Sequence, residues 1–95
     1  MAYEVKKDPN ADLDYGFDWS AWLGAADTIT ESTWTAPAES GLVTHSPSIS
    51  DDGKITQVWL KAGIVSAVVF SVTNHIQTSG GRQDDRSLRV TVLDR

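Results

Sequence analysis

The chain has 95 residues, no cysteine, 40% hydrophobic and 22% charged residues, and a formal net charge of −5. That length holds one domain, and without thiols neither disulfides nor thiolate metal centres contribute to its stability. The acidic balance argues against nucleic acid or an anionic membrane as partner, because phosphate binding depends on clustered Lys and Arg, and no apolar run is long enough to cross a bilayer.

Residues 1–14 are polar and contain Asp8-Pro9-Asn10, so they are expected to form an extended arm with a turn. From Tyr15 to Gly24 the chain is dense in aromatics, consistent with a short strand ending in a helical turn or with a plain extended segment. Asp27 to Thr35 is β-branched and reads as a strand ended by Pro37. Leu42 to Ile49 is weakly strand-like, and Pro47 confines it to a sheet edge. Asp51-Asp52-Gly53 marks a tight turn, after which Lys54 to Lys61 reads as a strand. Gly63 breaks the chain, Val65 to Thr78 reads as one long strand, and Ser79 to Asp85 as a polar loop. The last strand alternates strictly, with Leu88, Val90 and Val92 on one face and Ser87, Arg89 and Thr91 on the other.

Six or seven short strands punctuated by Gly and Pro predict an all-β fold, a small antiparallel β-sandwich over residues 15–95 preceded by the arm. Its expected core includes Ile29, Val58, Leu60, Phe70, Val72, Ile76, Leu88, Val90 and Val92. Charge is uneven along the chain: residues 1–52 carry ten acids and two bases, residues 53–95 three acids and six bases. Such asymmetry suits complementary contacts with neighbouring chains.

No catalytic constellation is evident. His45 and His75 stand thirty residues apart, no Gly-x-Ser-x-Gly elbow occurs, and no Gly-rich loop precedes a helix. Asp12, Asp14 and Asp18 have part of a calcium-loop spacing, but Phe17 replaces the turn glycine and Leu23 the bidentate glutamate. No catalytic residue, metal site or cofactor is therefore expected. The aromatics are more informative. The segment joins the acids Asp8, Asp12, Asp14 and Asp18 to the anchors Tyr15, Trp19 and Trp22, and aromatic anchors beside polar residues are typical of protein interfaces. These seven residues form the candidate contact, with residues 1–23 as the assembly segment. The competing structural reading makes Tyr15 to Trp19 the first strand and Trp22 a plug of the sandwich. A carbohydrate platform would use exposed Trp in the same way.

The stretch Lys7-Asp8-Pro9-Asn10-Ala11-Asp12-Leu13-Asp14-Tyr15, then Asp18-Trp19-Ser20-x-Trp22-Leu23, Asp27-Thr28-Ile29, Trp34, Val58-Trp59-Leu60, Val72-Thr73-Asn74, Thr78-Ser79-x-Gly81-Arg82 and Arg86-Ser87, resembles small structural proteins of tailed bacteriophages. That family includes tail-fibre adaptor, neck and decoration proteins with an immunoglobulin-like fold. The one departure near the middle is Lys61-Ala62 standing before Gly63. The resemblance implies a non-enzymatic virion protein, made in the host bacterial cytoplasm and placed at the head–tail neck or the tail-fibre junction. It implies as partners other virion proteins (portal, connector, tail or fibre components), with several copies in a symmetric assembly and neither nucleic acid nor membrane bound. A host-surface binding module of the virion, recognising carbohydrate or protein, is the alternative.

Overall fold

The computed structural model describes residues 3–94. Seven strands follow one another: β1 (Tyr3–Lys7), β2 (Leu13–Asp18), β3 (Ile29–Thr35), β4 (Leu42–Ile49), β5 (Ile55–Ala62), β6 (Phe70–Thr78) and β7 (Gln83–Val92). A single helical turn, α1 (Ser20–Leu23), connects β2 to β3, and a 3-10 turn over Ala38–Ser40 leads into β4. The strands form two sheets, ordered β1-β7-β6-β3 and β2-β5-β4. The fold is an all-β sandwich.

Period-2 alternation puts one side of each sheet into a shared core. Phe17, Trp19, Val58, Leu60, Val72, Ile76, Leu88, Val90 and Val92 are buried there, together with Leu23, Ile29 and Leu42. All nine residues expected in the core are buried, although Phe70 lies outside the main cluster. The β6–β7 hairpin has the register that the alternation predicts, Phe70 opposite Val90 and Val72 opposite Leu88. Pro47 lies on an edge strand, at an irregularity in the β4–β5 pairing between His45 and Ser48.

Three expectations need correction. The arm over residues 1–14 is not free along its described length, because Tyr3–Lys7 pairs in parallel with β7, Tyr3 opposite Leu88 and Lys7 opposite Val92. Lys7 explains why: its side chain is fully buried, and its ammonium donates to the carbonyls of Ala62 at 2.7 Å and Asp8 at 3.0 Å, tying the first strand to the end of β5. Burial pulls that ammonium below the usual lysine range, while Asp12 and Asp8 oppose the shift. Met1 and Ala2 of the expected arm lie outside the described residues. The sandwich is consequently not antiparallel throughout. Finally, the long strand expected from Val65 begins only at Phe70. Ala62 and Gly63 adopt φ of +61° and +114°, which turn the chain out of β5 and leave residues 63–69 as a loop.

Candidate protein interface

Strand β2 leads from the turn after β1 to α1, and the expected contact residues are divided between its two ends. At the α1 end, three of the seven expected contact residues, Asp18, Trp19 and Trp22, supply structure. Trp19 is fully buried and donates from Nε1 to Thr56 Oγ1 at 3.1 Å. Thr56 donates in turn to Asn74 Oδ1 at 2.6 Å, and Asn74 donates to Ser32 Oγ and the Thr33 carbonyl. This chain of hydrogen bonds satisfies the buried polar groups of Trp19, Thr56 and Asn74. Trp34, stacked on Phe17, instead buries its Nε1 without a partner among the described residues. Trp19 alternates inward with Phe17, so its enclosure follows from the strand period, and it is not an exposed anchor.

Trp22 is half-buried, edge-on to Trp19 with ring centres 5.6 Å apart, and the Arg82 guanidinium lies 4.3 Å above its ring. Arg82 also donates to the Leu23 carbonyl and, through Nε and Nη2, to Asp27 at 3.1 and 3.0 Å. Arg86 repeats the arrangement one step inward, 4.1 Å over Trp19 and donating to the Asp18 carbonyl. Asp18 itself accepts from the Ser20 hydroxyl and N–H, which hold its carboxyl below the usual range. Gly53 closes this end: its φ is +70°, a Cβ there would stand 2.7 Å from the Thr28 Cβ, and its carbonyl accepts from the Ile29 N–H.

Asp27 is the hub of this end. Burial pushes its carboxyl up, but the Gly80 N–H, the Thr78 and Ser79 hydroxyls and Arg82 outweigh that and hold it far below the usual carboxylate range. A depressed carboxyl contributes stability above its unfolded value near 3.8, lost as pH falls below it. Asp27→Asn is therefore expected to lower stability at neutral pH and to flatten its decline below about pH 4. Urea titrations between pH 2 and 7 measure this, and parallel pH profiles for the two proteins would refute it.

At the opposite end, Asp8 accepts from the Asn10 N–H at 2.8 Å in the turn after β1. Asp12 meets His45 Nε2 at 2.7 Å, and Asp14 accepts from Gln57 Nε2 at 2.6 Å. Tyr15 is half-buried against the core. Asp12, Asp14 and Asp18 do not converge, and among the described residues no three His, Asp or Glu side chains are grouped as metal ligands. What Asp12 and Asp14 flank is Trp59, 38% exposed on the outer face of β5, directly opposite both Asp14 and His45 in register. Trp59 was legible in sequence: it sits between Val58 and Leu60, both fully buried, so the strand period turns it outward.

The loop after β5 carries the largest exposed apolar group. Ile64, Val65, Val68 and Val69 are 58%, 51%, 56% and 42% exposed, and Leu13 and Val43 add apolar surface on the same half of the molecule. Contiguous exposed apolar surface on a soluble domain marks an interaction site. Two open surfaces thus share one half of the sandwich, and the α1 end is polar and cross-linked.

The pattern of one protein family, Podophage GP4 fiber-tail adaptor protein gp77, matches residues 7–91. The chain belongs to this family. No curated protein matches it. The matched span includes the α1 clasp, Trp59 and the whole apolar loop, and it leaves out nearly all of β1. Membership in the gp77 adaptor family identifies a structural protein of the phage virion.

Proposed function

We propose that the protein is a non-enzymatic adaptor at the fibre–tail junction of a podophage virion, binding tail on one side and fibre on the other, in several copies around the tail. The family match along nearly the whole chain carries this reading. The apolar loop supports it, since a contiguous exposed apolar patch marks a surface that meets a partner. Strand order supports the immunoglobulin-like reading of the fold. Strands β3, β6 and β7 lie in one sheet and β2, β4 and β5 in the other, as the C-F-G and B-D-E strands of that fold do, with β1 moved beside β7.

In this reading the contact centres on the apolar loop after β5, and of residues 1–23 the acids nearest that loop contribute to it. Ile64, Val65 and Val68 supply the anchors, and Asp8 and Asp12 form part of the charged rim, where they act mainly on association rate. Val65→Asp combined with Val68→Asp should leave the isolated protein folded. Its incorporation into particles assembled without the wild-type protein should fall roughly tenfold or more. Quantitative mass spectrometry of purified particles reads the result. Normal incorporation and a normal fibre complement would overturn the reading, as would particles that keep their fibres with the protein absent.

A further inference from the structure

Two surface features on opposite faces of the sandwich are complementary. On the outer face of the three-stranded sheet, Trp59 projects between Asp14 and His45, with Asp12 joined to His45 beside it. On the outer face of the four-stranded sheet, near the same end, a groove of about 370 Å³ is lined by Glu4, Val5, Lys6, Val69, Arg89 and Thr91. Its lining combines an apolar wall, the 42% exposed Val69, with Lys6 and Arg89, the latter 4.0 Å from the Glu4 carboxylate. The Trp59 face sets an apolar anchor beside the carboxylates of Asp12 and Asp14, with Lys61 two positions further along the same face of β5. An indole needs an apolar wall, and a guanidinium beside it adds cation–π attraction of the kind that Arg82 and Arg86 already make with Trp22 and Trp19.

We propose that the groove on β1 and β7 receives Trp59 of a second copy of this chain, with Asp12 and Asp14 of that copy facing Lys6 and Arg89. Because the two surfaces differ and lie on opposite faces, the contact is heterologous. Each copy has one anchor and one groove to offer, so copies add head to tail and close into a ring where the rotation between neighbours allows. The proposal needs only the purified chain. It does not depend on which virion parts the adaptor joins, and its failure would leave the fibre–tail reading standing.

Sedimentation velocity over a concentration series tests it. The wild-type chain is expected to associate beyond the dimer as concentration rises. Trp59→Ala should weaken association roughly thirtyfold, as loss of a central aromatic anchor does, and Asp14→Arg or Arg89→Glu alone roughly tenfold. Two of these variants each keep one intact surface: the Trp59→Ala chain has a working groove and the Arg89→Glu chain a working anchor. Mixed, they should form a one-to-one dimer and stop there. Far-ultraviolet circular dichroism checks that every variant keeps the wild-type fold. A wild-type chain that stays monomeric at all concentrations, a Trp59→Ala variant that associates as the wild type does, or a variant mixture that remains monomeric would each overturn the proposal. So would a Trp59 contact made only with another virion protein.

Discussion

Replacing Trp19 by alanine is expected to leave the chain largely unfolded at room temperature. The side chain is fully buried and belongs to the main core cluster, where deleting a large aromatic costs about 3–5 kcal/mol. Typical small domains have only about 5–15 kcal/mol in total. Two further losses add to the cavity. Thr56 loses the indole donor at the head of the chain of hydrogen bonds through Asn74, and the Arg86 guanidinium loses the ring it covers. Trp19→Phe separates these effects, since it keeps most of the ring volume and gives up the hydrogen bond, at about 1–2 kcal/mol. Guanidinium unfolding followed by far-ultraviolet circular dichroism measures both. A Trp19→Ala protein within about 1 kcal/mol of the wild type would mean that this indole is not a core element.

Leu60→Ala should cost about 2–5 kcal/mol. Leu60 is fully buried on β5, the central strand of its sheet, opposite Leu13 and Thr44. Its neighbour Trp59 provides the internal control. Trp59→Ala removes a larger side chain one position away, yet it should change stability by no more than about 1 kcal/mol, because the strand turns that residue to solvent. The contrast tests which face of β5 is buried. Equal losses at the two positions would mean that the outer face of the sheet is covered within the monomer.

What the sequence made legible follows the strength of its period. The β6–β7 hairpin and β5 alternate cleanly, and their buried faces are those that the alternation predicts. Period alone fails where the chain leaves the sheet. Val65, Val68 and Val69 have the β-branched content of a strand, but the positive φ values at Ala62 and Gly63 rotate them into solvent, and residue type does not reveal such a bend at an alanine. Lys7 misleads in the opposite direction: a lysine reads as surface, and its burial is made tolerable by the carbonyls of Asp8 and of Ala62, the latter distant in sequence. The aromatic contact was sought where tryptophans are densest, around Trp19 and Trp22. Density there reflects the clasp of α1 against Arg82 and Arg86, partners about sixty residues away in sequence that no local pattern connects to them.

The pairing of β1 with β7 affects how the protein is made. Tyr3 meets Leu88, so the first strand has no partner until β7 has left the ribosome. Until then the nascent chain holds at most the three-stranded sheet and the hairpins that precede β7. Joining strands so distant in sequence requires a long loop to close before any contact rewards it, which slows folding relative to a locally wired domain of the same size. While β1 waits, the partly formed sheet exposes the surface that β7 and β1 will cover, together with the valine-rich loop that stays exposed even in the finished fold. Aggregation of the newly made chain, and with it the demand on host chaperones, should therefore peak just before β7 emerges from the ribosome.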